Sequence, residues 1–262
     1  MHPVVKFFAA GFLVLCAACS EEQSAPIGIV PIAASLEDES GLSGAGDFVL
    51  AVSWHPAFCE TRPNKAECRS QRGGSFGASN FVLHGLWPQP RDNVYCGVAR
   101  NLVDVDKSGR WRDLPRLDLD NATLKVLEQQ MPGTQSYLER HEWIKHGTCY
   151  SPGAPQEYYA ESLHLLQQLN GSAVQDLFAS RIGKTVTRQE VQNAFENSFG
   201  NGAGRRMELV CKPDGIRQII TEVRINLTGT ITSASDLSDL ISAAPTRRNA
   251  CQAGLVDPVG LQ

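Results

Sequence analysis

Six residues, His141 to His146, hold two histidines, a carboxylate and an ammonium, with Cys149 close behind. Laid on a helix at about 100° per residue, His141, Lys145, Glu142 and His146 fall at about 0°, 40°, 100° and 140°. The four share one face, and Trp143 and Ile144 fall on the other. One face of such a helix, with Trp143 on it, could bury in a core while the other lines a cleft. Gathering such groups costs solvation and charge repulsion, so folds that collect them generally use them chemically. Two other readings compete. Glu142 and His146 at i and i+4 suit an ordinary solvated helix face. A zinc protease also clusters histidines, but it places them at i and i+4 so that both reach one metal. Here they stand at i and i+5, about 140° apart, which disfavours that metal site.

A second segment, Phe81-Val82-Leu83-His84-Gly85-Leu86-Trp87-Pro88, begins as an apolar run and ends in a turn. Alone, its histidine reads as a satisfied core residue and its tryptophan as packing. Taken together, His-Gly-Leu-Trp-Pro and His-Glu-Trp-x-Lys-His-Gly-Thr-Cys resemble the two signature segments of the ribonuclease T2 family, in its bacterial exported form. Phe48-Val49-Leu50-Ala51-Val52-Ser53-Trp54, followed by Pro56 and Cys59, resembles that family's first core strand. The resemblance runs from about Asp47 to Cys251.

The resemblance implies an endoribonuclease acting on single-stranded RNA without metal or other cofactor. RNA carries its own nucleophile, the 2′-hydroxyl. Cleavage needs a base for that proton, an acid for the departing 5′-oxygen, and positive charge where negative charge develops on phosphorus. Histidine suits both proton roles because its pKa lies near 6.5. The resemblance implies His146 as base and His84 as acid; the residues alone leave that order open. Lys145 suits the phosphoryl oxygens. Glu142, one turn before His146, is expected to hold that imidazole or support the charged transition state. His141, on the Lys145 side, is expected to bind phosphate. The products would be a 2′,3′-cyclic phosphate and then a 3′-phosphate. DNA lacks the nucleophile, and no stable DNA binding is expected. Two rival classes are a binding protein that lost catalysis and a metal-dependent hydrolase.

Base recognition is expected from Trp87, whose indole can stack on any base, and from Gln89 and Tyr95, which match base-contacting places in the family. The Gln89 amide both donates and accepts, so base specificity should be low. Tyr95 has two readings, base contact and packing beside Cys96.

Net charge is −4, whereas proteins that bind nucleic acid by bulk electrostatics are usually basic. RNA must then be caught by local cations, with Arg91, Arg110, Arg112 and Arg116 as candidate backbone contacts. Residues 1–19 read as an export leader, with Lys6 before an apolar stretch and small residues at its end, and the stretch is too short to span a membrane. Cys19 has two readings, a lipid-anchored cysteine or a residue near a plain cleavage site opening into the periplasm or the medium. Residues 20–46, rich in Ser, Ala, Gly, Glu and Pro, read as a flexible tether. Residues 47–262 form the catalytic domain, expected to act as a monomer. Six cysteines remain beyond the leader, and in an exported chain they read as a disulfide framework. The family resemblance implies Cys59–Cys68, Cys96–Cys149 and Cys211–Cys251.

The fold class is α+β, a central antiparallel sheet flanked by several helices. Strands are expected at 48–54, 81–86, 206–211 and 215–226, and helices at 121–130, 137–146, 157–169 and 174–180. Thr187 and Glu190 form a capping box that opens a helix to Phe199. Residues 60–79 read as loop and 91–120 as loop-rich, with Trp111 an anchor. The stretch after Thr230 carries no clear element.

Overall fold

From Phe48 to Val52 no residue is more than 3% exposed, and this apolar run forms strand β1 (Ala45–Ser53). The computed structural model describes residues 45–150 and 154–261; the leader, the tether before Ala45 and the Cys19 position lie outside them. β1 is buried because it is paired on both sides. β2 (Val82–Pro88) runs antiparallel along one edge and β5 (Arg217–Thr230) along the other. β4 (Met207–Asp214) forms an antiparallel hairpin with β5. β6 (Ala253–Leu255) meets β5 in parallel at Ile219, and β3 (Thr185–Thr187) pairs antiparallel with β6. The expected antiparallel sheet is present, with one parallel contact added by β6.

Alternation along β1 gives the sheet two different faces. Phe48, Leu50 and Val52, opposite Leu227, Ile225 and Val223, enter the apolar core. Val49, Ala51 and Ser53 point the other way, opposite Asn226, Arg224 and Glu222. The polar face of β5 therefore lies over the small side chains of β1.

Helix α6 (Pro155–Asn170) packs Tyr158, Tyr159, Leu165, Leu166 and Leu169 into the core at 0% exposure. It also covers the open edge of β2. The Tyr158 hydroxyl accepts from the Leu86 N–H and donates to the Leu86 carbonyl, and the Asn170 amide bonds both backbone groups of Phe81. These bonds occupy the edge's backbone groups at Leu86 and at Phe81 just before the strand.

Helices α4 (Asn121–Gln130), α5 (Leu138–Lys145) and α7 (Ala173–Ser180) fall where the periodicity puts them. The capping box is formed: the Thr187 hydroxyl accepts from the Glu190 N–H and the Glu190 carboxylate from the Thr187 N–H, opening α8 (Arg188–Phe199). Four helices stand where sequence shows loop or nothing. Pro56 starts α1 (His55–Thr61), and α2 (Ala66–Arg69) follows, so residues 60–79 are not a plain loop. α3 (Arg100–Lys107) sits inside the loop-rich stretch, held by two buried residues, Val103 and Asp106. α9 (Leu237–Ala243) buries Leu237, Leu240 and Ile241 behind an Asp236 cap.

The three disulfides are Cys59–Cys68, Cys96–Cys149 and Cys211–Cys251. The second joins the loop after β2 to the turn after α5, closing a sequence separation of 53 residues. Loop-closure entropy for that length corresponds to about 4 kcal/mol. Replacing Cys96 and Cys149 together by Ala should lower the free energy of urea unfolding by about that amount, more than the short Cys59–Cys68 loop costs when removed in the same way.

Candidate active site

His84 sits where β2 breaks register. Ala51 opposes Gly85 and Val52 opposes Leu83, so His84 has no residue facing it across β1. A bulge of this kind redirects the extra side chain. The imidazole reaches over β1 toward β5, and its Nδ1–H donates to Glu222 Oε2 at 2.5 Å. Ser53 and Ala51 lie opposite Glu222 and Arg224 on the same face, and their small side chains leave room for that crossing. Arg224 Nε donates to the second oxygen of Glu222 at 2.5 Å, and its guanidinium lies 5.4 Å from the Trp87 ring centroid.

Helix α5 carries the other half. It starts after Tyr137, which adopts a left-handed φ of 62°, and it ends at His146 with φ −117°. At this last position of the helix the His146 ring lies against Trp87, with centroids 5.5 Å apart. The His84 ring meets the same indole edge-on at 5.2 Å. Two imidazoles from distant stretches of chain thus stand against one tryptophan.

Glu142 is 1% exposed and lies beneath them. Its Oε2 accepts from Trp87 Nε1 at 2.8 Å, and its Oε1 faces His84 Nε2 at 3.6 Å and His141 Nε2 at 3.8 Å. The expectation that Glu142 holds the His146 ring is corrected. Its carboxylate serves His84, His141 and Trp87, and its hydrogen bond with His146 runs from backbone to backbone, the His146 N–H donating to the Glu142 carbonyl. His146 Nδ1 has no hydrogen-bond partner among the described residues.

The two histidines are pushed apart in acidity. Burial disfavours the charged form of His84, but the hydrogen bond and charge of Glu222, with Glu142 behind them, outweigh it and raise the pKa above 6.5. Burial lowers His146 to about 3, and the neighbouring charges of Lys145, His141 and His84 act in the same direction. Opposed environments of this kind separate an acid from a base.

The remaining expected residues divide. His141 is clamped: Nδ1 donates to Asp106 Oδ1 at 2.7 Å, and the ring stacks on Trp111 at 4.3 Å. Lys145 is half-buried, and no carboxylate lies within ion-pair distance of it among the described residues. Tyr95 also ends on Asp106, its hydroxyl donating to Oδ2 at 2.8 Å, while its N–H donates to the Lys145 carbonyl. That ties the loop to α5 and fits the packing reading. The Gln89 amide folds back onto the Trp87 and Pro88 carbonyls at 3.1 and 3.3 Å. Trp143 packs on Tyr158 and the core, as its helix face requires. Arg91, Arg110, Arg112 and Arg116 are exposed, and none lines the cleft beside His84.

Two residues that shape the site were not foreseen. Glu222 and Arg224 are charged positions alternating with apolar ones in a long branched strand, a pattern that marks one polar face but not a partner for His84. Asp106, which holds both His141 and Tyr95, lay in the unforeseen α3. His55, Cys59 and Cys68 lie close enough to suggest a metal site, but the two sulfurs are joined in a disulfide, leaving one donor and no fit for a metal.

Gly85 shows why the motif needs glycine there. A Cβ at this position would overlap the Glu142 carboxylate and press on the Trp87 indole. Gly85→Ala should therefore leave the far-ultraviolet circular dichroism unchanged and lower kcat/KM on RNA by about 100-fold, the effect of a displacement near 1 Å in a site of this kind.

The family model for the Ribonuclease T2 family matches residues 45–239. The chain is 29% identical to Ribonuclease I of Escherichia coli (strain K12), over 82% of this chain and 88% of that protein. It is 27% identical to Extracellular ribonuclease LE of Solanum lycopersicum, over 62% and 69%. Among solved structures it is similar to ribonuclease MC1 from the seeds of bitter gourd, at a TM-score of 0.46 and 21% identity, covering 80% of this chain and 98% of that one. With the signature histidines gathered on one tryptophan and the family match spanning most of the chain, the chain belongs to the ribonuclease T2 family, as an endoribonuclease of that type.

Proposed function

We propose that the chain is an exported endoribonuclease that cleaves single-stranded RNA by transesterification, using His146 as base and His84 as acid. The observation that carries this reading is the pair of imidazoles on Trp87 with opposite shifts in acidity. His146, buried among cations, is neutral and can take the 2′-hydroxyl proton. His84 is held charged by Glu222 through Nδ1, which leaves Nε2–H to protonate the departing 5′-oxygen. The attack of the 2′-oxygen on phosphorus expels that oxygen and forms a 2′,3′-cyclic phosphate. Water, with the two proton roles reversed, then opens it to a 3′-phosphate.

Lys145 supplies positive charge for the non-bridging phosphate oxygens, and His141, oriented by Asp106, adds a second donor. Glu142 orients His84, His141 and Trp87 rather than touching the reacting atoms. The Trp87 indole accepts any base by stacking, and a Gln89 amide engaged with the Trp87 and Pro88 carbonyls supports low base specificity. Export follows from the leader together with three disulfides, which persist in oxidising compartments; the Cys19 anchor is an added proposal on residues outside the described ones. No helix among the described residues is long and apolar enough to cross a membrane.

Purified mature chain incubated with yeast RNA in EDTA should release 2′,3′-cyclic phosphates, seen by phosphorus NMR. His84→Ala and His146→Ala should each lose roughly 10²–10⁴-fold in rate. Activity abolished by chelator, or retained at the parental level in either variant, would contradict the mechanism. The profile of kcat/KM against pH should rise as His146 loses its proton and fall as His84 does. Glu222 favours charged His84, so Glu222→Gln lowers that pKa. The descending limb should then move down by about one pH unit or more, with the ascending limb unmoved.

A further inference from the structure

Tyr95 stands in a left-handed conformation, with φ 60°. That costs about 1–3 kcal/mol and persists only where the surroundings enforce it. Its N–H donates to the Lys145 carbonyl at 2.9 Å, and the next residue, Cys96, is bridged to Cys149. Held this way, the ring aims its hydroxyl at Asp106 Oδ2, to which it donates at 2.8 Å. Burial, with the hydrogen bond and charge of Asp106 behind it, raises the Tyr95 pKa, so the hydroxyl keeps its proton and stays a donor.

Asp106 gathers three groups. Oδ2 takes the Tyr95 hydroxyl, Oδ1 takes His141 Nδ1–H at 2.7 Å, and the backbone carbonyl takes Trp111 Nε1–H at 3.2 Å. Trp111 in turn stacks on the His141 ring, with centroids 4.3 Å apart and planes 20° from parallel. The His141 ring is thus fixed by one bond in its plane and one ring on its face, and Asp106 holds both. Its Nε2 lies 3.8 Å from Glu142 Oε1, the same oxygen that faces His84. The Asp106 side chain is 1% exposed, so it does not touch RNA itself. A carboxylate turns easily about its Cβ–Cγ bond. With Oδ2 held by Tyr95, Oδ1 keeps its aim at His141.

We infer that the Tyr95 hydroxyl and the Asp106 carboxylate are positioning groups for RNA cleavage and act on it through His141. Their role rests on the one proposed for His141 at the phosphate. The Tyr95 hydroxyl then serves the reaction without a contact to the base. One shared carboxylate joins the loop after β2 to the phosphate-binding edge of α5. A substitution that frees either oxygen of Asp106 loosens the His141 ring, and the cost exists only while His141 is present.

The test is a pair of double-mutant cycles on one dinucleoside monophosphate, with the parent, Y95F, D106A, H141A, Y95F/H141A and D106A/H141A. Y95F keeps the ring and removes the hydroxyl alone, so any stacking by the ring survives. Y95F should lower kcat/KM about two- to tenfold and D106A about ten- to 100-fold, the lower and upper ranges for a lost hydrogen bond. In the H141A background both losses should shrink to less than about twofold, because residues that act as a unit are not additive. In the substrate-free parent, NMR should show a hydrogen-bonded ring N–H proton of His141 that shifts in Y95F and disappears in D106A. Far-ultraviolet circular dichroism reports folding; if D106A is unfolded, the Y95F cycle decides alone. Parental rates in Y95F and D106A overturn the inference and leave the histidine chemistry standing. Losses as large in the H141A background as in the parent do the same. H141A at the parental rate overturns it together with the phosphate role proposed for His141. A parent that cleaves nothing overturns the proposed reaction itself.

Discussion

His84 is held from two strands away. β2 and β5 flank β1, and an imidazole on one meets a carboxylate on the other at 2.5 Å. That contact exists because β1 shows Ala51 and Ser53 on this face and because the bulge turns His84 out of the ladder. Large residues on β1 would lift the ring away from Glu222, and a regular ladder would send it to the other face. The opposite face of the same strand carries Phe48, Leu50 and Val52 into the core. One strand, read in alternation, thus anchors the hydrophobic interior and lies beneath the crossing of His84 to Glu222.

The second half of the site is positioned by a helix that stops in time. α5 buries Glu142 beneath Trp87 and ends before His146, so carboxylate and imidazole do different work despite lying one turn apart. Asp106 steadies the outer wall by holding His141 and Tyr95 together. The Cys96–Cys149 bridge joins the loop after β2 to the turn after α5. His84 and His146 thus come from a strand and a helix end, tied together through one indole, one buried carboxylate and one disulfide.

Much of this was legible in the residues, and the reasons differ by element. The apolar runs at 48–54 and 81–86, the capping box at Thr187 and the dense segment from His141 to His146 are local signals, and local structure follows them. Three features were not legible because they depend on partners far along the chain. The bulge at His84 is a property of the β1–β2 register. Glu222 becomes a partner of His84 only after β1 is inserted between their strands. Glu142 turns from His146 because Trp87, 55 residues away, donates to it. α3 and α9 were missed for another reason: each is seven or eight residues long, too short for a periodic pattern to stand out, so packing decides it. Charge shows the same limit. The exposed arginines prominent in the sequence do not line the cleft beside His84, whereas Arg62, Lys65 and Lys212, from α1's end, the loop after it and β4, do.

The account turns on His84 being charged and His146 neutral over the same range of pH. Titration of the ring carbons and nitrogens of the labelled, substrate-free protein by NMR measures this directly, with His84→Ala and His146→Ala spectra giving the assignments. The account predicts a midpoint above 6.5 for His84 and one several pH units lower for His146. Two midpoints near 6.5, or His146 titrating above His84, would contradict it.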